Sequence, residues 1–277
     1  MPTFRYVVAD VFTDVPLAGN QVAVFTDATQ IPEERLQPVA REMNYSETVF
    51  VYPADGEGHV RIRIFTPTLE LPFAGHPVLG SAFVLSGPLQ LDEIRLETGR
   101  GVVPIRLERD GSRIVFGWMR QPSFGWEPYE RAEELLALLG VGASGLPVEV
   151  YHQGPGHVFV ELGSPEEVVA LRPDFGALKE LSPYGTACFA REGDAWRARV
   201  FAPAHGVDED PATGSAAGPL ALHLARHGRI GFGEEIEIHQ GAEVGRPSTL
   251  HAVAHSPEQV DVGGSAVVVA RGELRLP

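Results

Sequence analysis

From Phe4 to Phe12, apolar residues recur at every second position (Phe4, Tyr6, Val8), the period of a half-buried strand. A turn over Pro16–Asn20 separates it from a second strand, Val22–Phe25. Leu36, Val39, Ala40 and Met43 keep helical spacing and predict a helix over Glu33–Asn44. Pro38 lies inside it; because an interior proline costs ~3 kcal/mol, the helix is expected to start later. Val49–Tyr52 and Arg61–Phe65 read as strands, the latter with arginine and isoleucine in strict alternation. After Pro72, Phe73-Ala-Gly-His-Pro77 turns into a helix of small residues, with Pro77 at its expected first position. Ile94–Glu97 and Val102–Leu107 predict a hairpin, followed by a further strand over Ser112–Trp118. Arg120–Glu127 is rich in proline and aromatic residues. An amphipathic helix, Glu130–Leu139, then ends at Gly140 as its C-cap.

The second half repeats the first. Arg61-Ile-Arg-Ile-Phe-Thr-Pro67 is matched by Arg197-Ala-Arg-Val-Phe-Ala-Pro203, and Gly75 at a helix start by Gly214. Ile94-Arg-Leu-Glu-Thr-Gly99 is matched by Ile236-Glu-Ile-His-Gln-Gly241. The order is kept with small insertions. This predicts a duplicated α+β unit, two halves facing each other across a cleft. Residues 1–118 form the first half and 119–277 the second, with the last strand, about 263–277, expected to pack back on the first half.

Composition removes several classes. With 44% hydrophobic and 21% charged residues, the chain is an ordinary globular protein. Its net charge of -15 is repelled by phosphate backbones and anionic lipid, so no nucleic-acid or membrane role is expected. Charges interrupt every apolar run before the ~18 residues of a membrane span. The N-terminus has no apolar h-region, and the expected location is the cytoplasm. Cys188 is the single cysteine, which excludes an internal disulfide, and its apolar strand context reads as structural burial.

The chemistry concentrates at two glycine-rich turns that open helices, Ala74-Gly75-His76-Pro77 and Ala212-Thr213-Gly214-Ser215. A helix N-terminus carries unpaired N–H groups and partial positive charge, and two such ends aimed at one point would bind a carboxylate. Neither turn is a P-loop, and no GxGxxG opens a βαβ unit. Lys179, the single lysine, lies in a polar segment and is a poor Schiff-base candidate. Glu47, ahead of the apolar Thr48-Val-Phe-Val51, is either a solvated strand-end residue or a desolvated acid/base. Asp210 before Pro211 reads as an N-cap, which is compatible with a catalytic role, and His76 as a turn residue or a general acid/base. His223/His227 and His251/His255 have ligand spacing but no neighbouring third ligand, so no metal is expected.

Taken together, the motifs resemble the PhzF-like isomerases of phenazine biosynthesis along almost the whole chain. The matching pieces are Asp10-Val-Phe-Thr-Asp-Val-Pro-Leu-Ala-Gly-Asn20, Asn44-Tyr-Ser-Glu-Thr48, Phe73-Ala-Gly-His-Pro77, Asp208-Glu-Asp-Pro-Ala-Thr-Gly-Ser-Ala216 and Gln240-Gly-Ala-Glu-Val-Gly-Arg-Pro-Ser248. Gln21, where the family usually has proline, departs from the pattern in a turn. The resemblance implies a diaminopimelate-epimerase-like fold: two pseudo-symmetric halves, each a mixed sheet rolled around a central helix, with the active site in the cleft between them. Related epimerases use one thiol at each glycine turn; here both turns lack cysteine, which excludes that mechanism. The resemblance further implies Glu47 as proton shuttle and His76 and Asp210 as catalytic helpers. Gly75, Gly214, Ser215 and Asn20 would hold a small unsaturated carboxylate, without cofactor or metal, in a homodimer. A one-base epimerase and a binding module without turnover remain as alternatives; intact Glu47, His76 and Asp210 speak against the second.

Overall fold

The computed structural model describes residues 1–152 and 156–276, and of residues 88 and 89 only the backbone. It divides into two compact units, Met1–Pro122 with Gly263–Pro277, and Ser123–Val262.

In the first unit, Thr3–Val11 pairs antiparallel with both Asn20–Phe25 and Ala266–Arg275, so the C-terminal strand belongs here. Asn20–Phe25 runs parallel to Glu47–Pro53, the crossover being the helix Glu33–Met43. Glu47–Pro53 pairs antiparallel with Val60–Phe65. Val60–Phe65 is parallel to Glu93–Thr98, across the helix Gly75–Leu89. Gly101–Asp110 and Arg113–Arg120 complete an antiparallel meander. Residues 75–83 of the Gly75–Leu89 helix are buried without a break. The helix touches strands on several sides, including Thr3–Val11, Glu93–Thr98 and Arg113–Arg120, so the sheet wraps around it. An apolar helix buried on all faces needs such a wrap. Gly80 permits the close approach: a Cβ there would stand 2.7 Å from Val22 Cγ1 and 2.8 Å from Val11 Cγ2. On the outer face, Leu36, Val39 and Ala40 of the Glu33–Met43 helix cover a core containing Phe25, Phe50 and Phe65.

The second unit repeats this connectivity. Glu149–His152 pairs antiparallel with Gly156–Glu161, which is parallel to Gly185–Glu192 across the short helices Pro165–Ala170 and Phe175–Leu181. Gly185–Glu192 pairs antiparallel with Ala195–Ala202, which is parallel to Glu235–Gln240 across the helix Gly214–Arg226. Residues Gly214 to Ala225 of that helix are all buried. The duplication extends to register: Thr48 faces Phe65 in the first unit and Thr186 faces Phe201 in the second. One step earlier, Val22 faces Glu47, and His157 faces Gly185.

Local expectations shift in four places. The Glu33–Met43 helix starts at Glu33 in spite of Pro38, which is exposed, so water can satisfy the carbonyl its missing N–H leaves unpaired. Pro77 is the third helical residue, not the first; the first-turn amides have no helical partner there either. The helix expected from Glu130 starts at Ala132. Phe12 lies beyond its strand with φ +64°, and its N–H donates to the Ser265 carbonyl. Among the described residues, no helix is long and apolar enough to cross a membrane.

Candidate active site

In the first unit, two parallel strands and one helix end converge. Asn20 opens one strand, Glu47 opens its neighbour, and His76 is the second residue of the Gly75–Leu89 helix. His76 is almost fully buried, and both ring nitrogens have partners. The Asn20 amide Nδ2 lies 3.2 Å from Nδ1; the Gln21 carbonyl lies 3.2 Å and Glu47 Oε2 3.1 Å from Nε2. An amide nitrogen donates only, so Nδ1 accepts and the ring proton sits on Nε2, donated to the Gln21 carbonyl, with the Glu47 carboxylate beside it. Burial pushes the His76 pKa down to about 3, against the small opposing effect of the Gln21 bond. His76 is therefore neutral near pH 7. It is a fixed neutral neighbour of Glu47, its Nε2–H given to the Gln21 carbonyl, which narrows the general acid/base role open to it from sequence. Asn20, expected as a substrate contact, is fully buried, and its amide fixes the His76 tautomer. The Glu47 side chain keeps 13% exposure, so the carboxyl is mostly desolvated yet reachable.

In the second unit, Asp210 is not an N-cap. It ends the strand Val207–Asp210, while the helix begins at Gly214 with Thr213 as its cap residue. Its carboxylate accepts from the Thr213 hydroxyl at 2.6 Å. Gln240 ties the turn together: its Nε2 donates to the Asp210 carbonyl at 2.7 Å, and its Oε1 accepts from the Thr213 amide at 3.1 Å. The neighbouring Glu209 is clamped by Arg199 through two bonds of 2.7 and 2.8 Å, both side chains buried. Ser215, second residue of its helix, holds the place that His76 holds in the first unit. Its Oγ lies 3.0 Å from His157 Nε2, a buried pair with no sequence motif to announce it.

The register carries a chemical difference between the halves. Gly185 stands at the strand position of Glu47, and the imidazole of His157 at that of Val22. Burial, with a smaller effect from His205, pushes the His157 pKa down to about 3. At this strand position the second unit thus carries no titratable carboxyl.

His251 and His255 lie four residues apart on the strand Ser248–Ser256, about 13 Å along an extended chain, so they cannot share an ion. They bond instead to Glu235 and Asp261. His223 and His227 do acquire the third neighbour that the sequence did not show: Glu149 Oε2 lies 3.2 Å from His223 Nδ1 and 3.1 Å from His227 Nε2. Arg226 Nη1 is 2.6 Å from the same oxygen and also bonds the Tyr151 hydroxyl. Burial acts to raise the Glu149 carboxyl, but the bonds from Arg226 and His227 outweigh it and hold the pKa at about 2. The carboxylate is already neutralised by a guanidinium, which a divalent cation would have to expel, so the cluster fits an ion-pair network better than a metal site.

Cys188 is fully buried, and burial pushes its thiol pKa up to about 12. Lys179 is exposed on the helix Phe175–Leu181. Neither belongs to a polar cluster of the kind above.

Solved structures share the architecture. A hydroxyproline epimerase from Agrobacterium vitis superposes with a TM-score of 0.68 over 99% of this chain and 91% of its own; at 11% identity that likeness concerns the fold alone. A PhzF-family phenazine biosynthesis protein from Bacillus anthracis superposes with a TM-score of 0.85 over all of both chains, at 25% identity. The α+β fold is thus the epimerase-like one. The chain belongs to the phenazine biosynthesis-like (PhzC-PhzF) family, whose model matches residues 9–272. It is 50% identical to the trans-2,3-dihydro-3-hydroxyanthranilate isomerase of Pseudomonas aeruginosa, over 98% of this chain and 99% of that one. It is 48% identical to the enzyme of the same name from Pseudomonas fluorescens, over the same shares, and with such relatives the protein is an isomerase.

Proposed function

We propose that the protein isomerises trans-2,3-dihydro-3-hydroxyanthranilate, the compound named for its relatives, by moving one proton with Glu47. The carboxylate of Glu47 takes a proton from a ring carbon, and its acid form returns one to another carbon of the conjugated system. The carrying observation is the fixed chain Asn20–His76–Glu47. Asn20 sets the tautomer, the buried imidazole stays neutral with its Nε2–H given to the Gln21 carbonyl, and it packs 3.1 Å from Glu47 Oε2 without competing for the proton. A mostly desolvated carboxyl beside a neutral imidazole is suited to proton transfer at carbon. The glycine at the position equivalent to Glu47 favours one base over two. Gly75, Gly214 and Ser215 are assigned to the substrate carboxylate, and Asp210, held by Thr213, to substrate orientation. A cytoplasmic homodimer is part of the same proposal, supported by family membership; light scattering at a mass near 30 kDa at micromolar concentration would oppose the dimer.

Glu47→Gln tests the reaction. The amide keeps the shape of the side chain, but the titratable group is gone. General acid/base catalysis is worth ~10²–10⁴-fold, and a group serving both half-steps belongs at the upper end. Turnover should fall by that factor while KM stays within about threefold. In D₂O the wild-type product should gain deuterium to the extent that Glu47 exchanges with solvent. A variant keeping more than about a tenth of wild-type turnover shows that another group moves the proton.

A further inference from the structure

Ser215 and His157 invite comparison with a nucleophile–base dyad, since their polar atoms are 3.0 Å apart. The surroundings exclude that role. His157 is buried, and its Nδ1 has no hydrogen-bond partner among the described residues. Gly185 packs against that side of the ring: a Cβ built on it would stand 2.6 Å from Nδ1. A proton on Nδ1 would be an orphaned buried donor, which folded proteins almost never tolerate, whereas an under-used acceptor is tolerated more often. The ring proton therefore sits on Nε2 and is donated to Ser215 Oγ. With one lone pair engaged by His157, the hydroxyl's own hydrogen is left to point elsewhere. Neutral His157, with its pKa near 3, is too weak a base to make an alkoxide of Ser215.

We infer that His157 is a positioning residue for the isomerisation: its Nε2–H turns the Ser215 hydroxyl so that Ser215 donates to the substrate's carboxylate instead of accepting from the protein. This rests on the assignment of Ser215 to the substrate given above. Its logic parallels that of Asn20 in the first unit, where a buried side chain behind the contact fixes which way a proton faces. Gly185 is an integral part of the device, because a side chain there would displace the imidazole.

The experiment combines kinetics with spectroscopy. Ser215→Ala should raise KM about ten- to a hundredfold, the scale of a hydrogen bond to a charged group, with a smaller change in kcat. His157→Phe, which keeps a ring but loses the donor, should raise KM about three- to tenfold when Ser215 is present, the scale of a single hydrogen bond. In the Ser215→Ala background the same change should cost less than about twofold, because the two residues act as a unit. His157→Gln, whose amide reaches the same point, should return KM to within about twofold of wild type. ¹⁵N NMR of the unmutated protein should show His157 protonated at Nε2 and bare at Nδ1. A bare Nε2, or a His157→Phe penalty as large without Ser215 as with it, overturns the inference. An unchanged KM in Ser215→Ala instead refutes the assignment of Ser215 to the substrate, and the orienting role with it. The NMR measurement decides the tautomer even if a His157 variant fails to fold.

Discussion

Three buried histidines make the protein acid-labile well above the carboxylate range. His76 and His157 are pushed down to about 3 and His223 to about 4, burial being the leading cause in each, with His227 adding to the effect at His223. In the unfolded chain each titrates near 6.5. The folded values lie below the unfolded one, so between them the unfolded state binds more protons and stability rises with pH. The contribution is complete above pH 6.5 and is lost as the pH falls from 6.5 towards 3. Each histidine costs about 1.4 kcal/mol per pH unit in that window, so the three together cost about 4 kcal/mol per unit. A domain is stable by only about 5–15 kcal/mol, so one pH unit removes a large share. His205, lowered by burial, adds to the slope. His239 acts against it, because its bonds to Glu192 and Glu237 outweigh burial and raise its pKa. Glu149 contributes only below its ordinary range, so pH 6.5 to 5 isolates the histidines. Urea unfolding at pH 7.5, 6.5 and 5.5 is the assay. The midpoint should drop by about 0.3 M over the first step and by about 1 M over the second, taking an m-value near 3 kcal/mol/M. His157→Gln should reduce the slope by about a third. A midpoint constant between pH 6.5 and 5.5 would refute the claim that these imidazoles are buried neutral.

Cys188 should resist alkylation in the native protein and react on unfolding, as its burial and raised pKa require; stoichiometric native labelling with loss of activity would contradict both the burial and the mechanism. Arg199→Met leaves Glu209 buried without its partner and should cost about 3–5 kcal/mol in a denaturation series, regained only in part in Arg199→Met/Glu209→Leu because Arg199 also donates to the Val168 and Leu171 carbonyls. Because Glu209 precedes Asp210, the single variant should also raise KM. Asn20→Leu removes the donor to His76 Nδ1 and should cost about 1–3 kcal/mol of stability. It should lower kcat more than KM rises, and ¹⁵N NMR should show a mixed His76 tautomer.

Much of the architecture was legible from spacing alone. Alternating apolar positions located the strands around Phe4 and Arg61, short apolar runs those around Val22 and Val49, and matched segments near Arg61 and Arg197 announced the duplication that the strand registers display. These signals are local, fixed by a period of two or 3.6 residues and by which glycines can open a helix. Glu47 and His76 were legible as candidates because they lie in short motifs. Their relation was not, since His76 and Asn20 are 56 residues apart and meet only because a parallel crossover sets a helix end against two strand starts. His157 and Ser215 are 58 apart, and Glu149 and His223 are 74 apart. A lone histidine in a Gly-His-Val-Phe-Val strand carries no mark of its partner, and a glycine at the start of the next strand carries no mark of the imidazole it makes room for. Residue identity along the chain determined which groups were available. Tertiary structure decided which of them are buried, and thereby which nitrogens keep a proton, because burial removes the water that would otherwise satisfy either choice.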